Sequence, residues 1–308
     1  MTKRIHHYIL TRFCLRLWTR DKNGETIDWE KWIAGRMELF EQYCLPSVMA
    51  QTCKEFRWVL LCDDMTPEWV RERLREYKER CPQIKVAYVP TPKSGLFPKM
   101  FCGAVVKLLE KDGVEEGDLC LTTYLDNDDA LHEEYVLEVQ NVARRVDATG
   151  GNSAFSLDEG VKDPFFMSFD YGVQYFTELQ VATRICYPSN HFMTVVEYPV
   201  VVRTENGAVS VRNVRTCYGY GSHFLLEKNR KVRVEHVIDR NRLMWAEIVH
   251  ECNVDNDVKM TLDSHMLDAV DGFGCGMMLG SPRRLAYMRR CLQQMWRRAR
   301  NKLMPRRP

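Results

Sequence analysis

The chain has 308 residues, 45% of them hydrophobic, enough to bury a substantial core as one large domain or two small ones. No uninterrupted apolar run approaches the roughly 18 residues a membrane-spanning helix needs, and the opening "MTKRIHHYILTRF" lacks an apolar stretch followed by a small-residue cleavage site, so a soluble, cytoplasmic protein is expected. The net charge of +2 conceals an asymmetry: residues 283–308 hold ten Lys and Arg and no acid, leaving 34 bases against 42 acids elsewhere, a body of −8. An acidic body argues against nucleic acid as a partner.

In chain order, "HYILTRF" (7–13) reads as a strand, and "DWEKWIAGRMELFEQYCLPSVMAQ" (28–51) spaces Trp32, Met37, Phe40, Tyr43 and Cys44 as a helix does. "FRWVLLCDD" (56–64) is an almost wholly apolar strand. "TPEWVRERLREYKERC" opens a helix with Thr66 as N-cap and Pro67 at the first helical position. "IKVAYVP" is a strand, "PKMFCGAVVKLLEKDG" a helix closed by Gly113, and "DLCLTTYLD" another strand. This alternation implies an α/β fold, with a mostly parallel twisted sheet covered by helices on both faces. The second half is less regular, with turns at "GG" (150–151), "NG" (206–207) and "GYG" (219–221) and short β-rich runs such as "HFMTVVEYPVVVRT" and "KVRVEHVID". The twelve cysteines include no CxxC pair and are read as reduced, core-filling thiols rather than zinc ligands or disulfides. From Leu285 onward, Met288, Leu292, Met295, Trp296, Ala299 and Leu303 recur at intervals of three and four between arginines, a basic amphipathic helix suited to an anionic membrane surface, to docking on the acidic body or, least of all, to nucleic acid.

The densest chemistry is in "LDNDDALHEEYV", where Asp126, Asn127, Asp128 and Asp129 follow an apolar strand. In open parallel sheets ligands bind beyond the carboxyl ends of the strands, and carboxylates one residue apart suit Mg²⁺ or Mn²⁺ shared with substrate phosphates. The competing assignment is that Asp128 or Asp129 caps the helix that follows. A calcium EF-hand is excluded because Ala130 occupies the fifth loop position and no glycine follows.

The segments "ILTRF", "LFEQYCLPSVMAQT", "FRWVLLCDDMTPE", "TTYLDNDDALHEEYV", "NHFMTVVE" and "MWAEIVHECNVDND" resemble, in order, the blocks of the rhamnosyltransferase family, nucleotide-sugar glycosyltransferases with a GT-A fold. One departure is Tyr124, where the family's pattern usually has an arginine. The resemblance implies a GT-A-like domain over residues 1–280, with a Rossmann-like nucleotide-sugar half to about 130, an irregular mixed acceptor half over 131–280, and the basic helix over 281–308. It implies that Thr11, Arg12, Asp63, Asp64, Lys99, Asp126 and Asn127 serve the donor, and that Asp126, Asp128 and His250 hold Mn²⁺ or Mg²⁺, with His223 a lower-ranked ligand. Glu197, ending a short apolar strand, and Asp170, set among the aromatics Phe169, Tyr171 and Tyr175, are the candidate catalytic bases. The expected activity is metal-dependent transfer of a sugar, rhamnose among the options, from a nucleotide sugar to a glycan or polysaccharide. The site would lie on the inner face of the cytoplasmic membrane if the basic helix docks there. Phosphoester hydrolysis by the same acidic cluster, or glycan binding without catalysis, are the alternatives.

Overall fold

In a computed structural model the described residues are 3–20, 24–149, 163–206, 209–226, 232–250, 260, 265–280 and 283–303. The first half runs β1 (Ile5–Cys14), α1 (Trp29–Leu39), α2 (Leu45–Met49), β2 (Arg57–Asp63), α3 (Glu68–Arg80), β3 (Ile84–Val89), α4 (Phe97–Lys111), β4 (Leu119–Tyr124), β5 (Ala130–Leu131) and α5 (Tyr135–Ala148). The second half adds β6 (Phe165–Phe169), β7 (Tyr171–Phe176), β8 (Val181–Cys186), β9 (Thr194–Glu197), β10 (Val200–Arg203), β11 (Val209–Arg212), α6 (His223–Leu226), β12 (Arg233–Val237), β13 (Trp245–Val249), β14 (His265–Met266) and α7 (Arg283–Leu303).

A seven-stranded sheet in the order β12-β6-β9-β4-β1-β2-β3 carries the fold. Its strands are parallel except β9, which runs antiparallel to both β4 and β6. A mixed second sheet, β14-β8-β7-β13-β5, lies in the C-terminal half, and β10 and β11 form a separate hairpin. This is the α/β architecture with a mostly parallel sheet and a mixed C-terminal half expected from the sequence. The continuous apolar runs are explained by burial on both sides: Ile9, Phe13, Trp58, Leu60 and Leu121 join the core under α1, α2, α3 and α5, while Tyr8, Leu10, Val59 and Leu61 join the core under α4.

The helix read over 28–51 forms, but in three pieces. Asp28 caps α1 by accepting from the Lys31 N–H, and the chain widens into a π turn at Phe40–Cys44 before α2. Pro46 is the physical reason: with no N–H and a ring that crowds the preceding turn, it cannot continue an α register, and the wider turn absorbs the mismatch. Thr66 does not cap α3. The helix begins at Glu68 with Pro67 in the cap position, and the Thr66 hydroxyl donates to the Asp63 carbonyl 2.7 Å away. Gly113 follows α4 with φ of 68°, the left-handed closure that the sequence indicates. None of the eleven described cysteines is in a disulfide.

The expected amphipathic helix is α7, but its docked face is narrow. Tyr287 and Cys291 are buried against Phe176, Leu179 and Val181, whereas Leu285, Met288, Leu292, Met295 and Trp296 stay 45–65% exposed. No described helix is long and apolar enough to cross a membrane.

Candidate active site

The carboxyl ends of β1 and β4 open into a cleft of about 570 Å³. Residues 125–129 make the turn between β4 and β5: the Leu125 N–H extends the β1 ladder by donating to the Leu10 carbonyl, and the Asp129 N–H closes back on the Asp126 carbonyl at 3.4 Å. Asn127 pins the turn to β1 by donating from Nδ2 to the Phe13 carbonyl at 2.9 Å. The helix-cap reading of Asp128 and Asp129 is overturned, because β5 intervenes and α5 starts only at Tyr135, with no side-chain cap.

Each aspartate of the turn meets a cation supplied by the protein. Asp126 accepts from the Arg12 guanidinium at 2.9 Å, and although burial opposes ionisation, that charge keeps its carboxyl below the usual range. Asp128 accepts from Arg36 and lies 2.8 Å from His250 Nε2. Burial would raise its pKa, yet the guanidinium and the imidazole hold it well below the usual value. Asp129 is paired with His191 Nε2 at 3.1 Å and accepts the Ile248 N–H at 2.9 Å. Burial dominates there and pushes Asp129 up to about 7. Burial alone would lower His191, but the hydrogen bond and charge of Asp129 outweigh it and raise the imidazole to about 9. Arg12 also lies over the rings of Phe97 and Tyr218, 5.5 and 5.6 Å from their centroids, and Arg36 lies 5.3 Å from that of Trp32.

Of the donor-side candidates, Arg12, Asp126 and Asn127 line the cleft together with Asp128, and His250 reaches it through Asp128. His223 also lines it, with burial lowering its pKa to about 4. Thr11 does not reach the cleft: it is fully buried and accepts from Trp58 Nε1 at 2.9 Å. Asp63 is likewise fully buried, consumed by the Arg16 guanidinium at 2.6 Å and by the Arg16 and Met65 N–H groups. Asp64 instead accepts from the Thr91 N–H and hydroxyl, tying the end of β2 to the turn that enters α4. Lys99 is exposed on α4, and the cleft takes Phe97 and Pro98 from that helix instead.

Neither expected base is in the cleft wall. Glu197 ends β9, but that strand runs antiparallel to β4, which sets Glu197 opposite Cys120, roughly 20 Å of strand before Asp126. Its carboxylate accepts from the Arg215 and Thr216 N–H groups and the Tyr220 hydroxyl, and so holds residues 215–220 in place. Burial does raise its pKa, as expected, but away from the cleft. Asp170 receives the Ser168 hydroxyl and pairs with His236 at the junction of β6 and β7. Of the aromatics beside it, Phe169 and Tyr175 pack in the core. At the position of the departure from the family pattern, Tyr124 donates its hydroxyl to the Cys217 carbonyl and packs edge-on against Tyr218.

Sequence reasoning missed Arg36, Trp32, His191 and Glu247, all of which line the cleft. The first two were findable: Trp32 and Arg36 are four residues apart in α1, so they share a face. Residues 251–257 of the last family-like block lie outside the described residues.

Residues 20–163 match the family model described as "Putative rhamnosyl transferase". No curated protein matches the sequence. Among solved structures, S. aureus TarS 1–349 in complex with UDP overlaps with a TM-score of 0.30 at 10% identity, over 80% of this chain and 60% of that one. TarS 1–349 in complex with UDP-GlcNAc gives 0.32 at 10% identity, over 82% and 60%. The longer TarS structure gives 0.31 at 11% identity, over 80% of this chain and 37% of that one. The chain thus spans about 60% of the length of the two TarS 1–349 structures. The matched stretch, residues 20–163, holds both Arg36 and the acidic turn, and is similar over that span to a family described as rhamnosyl transferases.

Proposed function

We propose that the protein is a metal-dependent glycosyltransferase that moves a sugar from a nucleotide-sugar donor to a glycan or polysaccharide acceptor. The observation that carries this reading is the turn at residues 126–129, which presents three carboxylates and two arginine partners to one cleft at the end of a parallel sheet. A diphosphate is the ligand that such a mixture of cations and metal-binding carboxylates suits.

Among the described residues no three or more His, Cys, Asp or Glu side chains stand together as a ready metal cage, so what supports Mn²⁺ or Mg²⁺ is a single pair. His250 Nε2 and Asp128 Oδ2 are 2.8 Å apart, close to the roughly 3 Å between neighbouring ligands of an octahedral ion with bonds of about 2.1 Å. The other imidazole nitrogen, Nδ1, is buried without a hydrogen-bond partner among the described residues. Asp128 and His250 would hold the ion, and Asp126, the third expected ligand, would join them only by leaving Arg12. When bound, the ion would stabilise the negative charge that develops on the departing nucleoside diphosphate. Arg12, held over Phe97 and Tyr218, would bind and orient phosphate oxygens, and Trp32 offers a ring face beside Arg36.

The exposed stripe of α7, flanked by arginines, would rest on the anionic inner leaflet of the cytoplasmic membrane, bringing the cleft to a lipid-linked or membrane-proximal acceptor. Sedimentation with vesicles containing phosphatidylglycerol, but not with neutral vesicles, is expected, and Trp296→Glu should abolish it.

The functional assignment is tested by a thermal-shift screen of UDP, GDP and dTDP with and without Mn²⁺. One nucleotide is expected to raise the melting temperature only when metal is present, and Asp128→Ala should erase that rise. Stabilisation that is indifferent to metal and unchanged in the variant would refute it.

A further inference from the structure

Four carboxylates line the cleft: Asp126, Asp128, Asp129 and Glu247. The first three are each tied in an ion pair, Asp126 to Arg12, Asp128 to Arg36 and Asp129 to His191. Glu247 differs. Its Oε2 receives a neutral amide N–H from Gln174 Nε2 at 2.7 Å, and its charge acts on His191 without an ion pair forming between them among the described residues. Its place follows from the pleat of β13. Trp245 and Ala246 pair with Leu131 and Ala130 of β5, and the Ile248 N–H reaches Asp129, so Glu247 stands beside the acidic turn. Ala246 and Ile248 pack in the core of the second sheet, Ile248 also bordering the cleft, and Glu247 alternates with them to join the cleft wall with His191 and Tyr187. At 8% exposure it is largely dehydrated but reachable from the cleft.

We propose that Glu247 is the general base of the transfer, with Gln174 as its positioning residue, an inference that rests on the glycosyltransferase reading of the cleft. In the step, an acceptor hydroxyl oxygen forms a bond to the anomeric carbon while the bond from that carbon to the β-phosphate oxygen breaks. The bonding electron pair leaves on the nucleoside diphosphate, and the hydroxyl proton passes to the Glu247 carboxylate. The anomeric configuration inverts, and the amide of Gln174 fixes one carboxylate oxygen so that the other faces the acceptor.

The test needs no knowledge of the natural acceptor, because water and azide both serve. Water must lose a proton as it attacks, whereas azide is already an anion. UDP-, GDP- and dTDP-sugars are offered with Mn²⁺, and release of the nucleoside diphosphate is followed. With water, Glu247→Gln is expected to be slower than the unaltered protein by roughly 10²- to 10⁴-fold. With azide the two should release diphosphate within about twofold of each other and form a glycosyl azide, and the Mn²⁺-dependent nucleotide stabilisation should be unchanged. Should Glu247→Gln not fold, Glu247→Asp is used and must show the same selective loss with water. A variant within tenfold of the unaltered protein with water, or one that loses the azide reaction while still binding nucleotide, overturns the assignment of Glu247. Failure of the unaltered protein to bind any of the nucleotides overturns instead the reading on which it rests.

Discussion

Replacing Arg36 by alanine separates two roles of one guanidinium. Arg36 and Asp128 form an ion pair whose side chains are only 12% and 10% exposed, so truncating the cation leaves a nearly buried carboxylate facing His250 alone. Removing one partner of a buried pair costs about 3–5 kcal/mol, far more than breaking a surface pair. For a chain of this size, at roughly 2 °C per kcal/mol, the melting temperature without metal should fall by about 6–10 °C. Manganese should then restore more of that loss than it adds to the unaltered protein, because the ion no longer competes with a tethered cation for the same oxygens. Differential scanning fluorimetry in EDTA and across a Mn²⁺ titration reads both effects. A fall of less than about 2 °C would show that Asp128 does not depend on Arg36, and a manganese shift no larger than the unaltered protein's would show that the two cations do not share a site.

Glu197→Gln should destabilise the protein by roughly 1–3 kcal/mol, since a carboxylate accepting three hydrogen bonds is replaced, while diphosphate release stays within about twofold; denaturant midpoints and the release assay check the two halves. At Gly172 an added Cβ would overlap the ring of Trp245, a fully buried side chain that donates to the Phe169 carbonyl at 2.7 Å and stacks on Phe192. Gly172→Ala should therefore cost about 1–3 kcal/mol or more by overpacking, seen as a lower urea midpoint. His191 has its folded pKa raised to about 9, so its contribution is complete below the unfolded value near 6.5 and fades as pH climbs through 9. Denaturant midpoints between pH 6 and 10 should show that decline, and His191→Gln should flatten it.

The sequence discloses the parallel half of the fold because burial on both faces writes itself as unbroken apolar runs, punctuated by helix starts and Gly113. It hides the direction of β9. Read along the chain, Glu197 terminates an apolar strand as Asp126 nearly does, but β9 enters the sheet antiparallel, so its last residue faces the first residues of β4. The same blindness hides β5, which is two residues long and exists only through its pairing with β13. Without it, Asp128 and Asp129 look like helix caps. Arg12, Asp126, Asn127, Asp128 and His250 were legible because the turn and the family-like blocks name them. Glu247 lies in the same block as His250, yet only the alternation of β13 reveals which of the two faces the cleft and which meets Asp128. In α7 the periodicity is plain, but it does not say that Tyr287 and Cys291, rather than Leu292 or Trp296, are the residues that dock.

The five residues from 125 to 129 have their two ends in different sheets, one continuing β4 of the seven-stranded sheet and the other entering β5 of the mixed one. No slack separates them, so a slide of one sheet past the other must either drag the carboxylates or break the pairing of β5 with β13. Whatever grips Asp126 and Asp128 is therefore linked, through the pairing of β5 with β13, to the strand that carries Glu247.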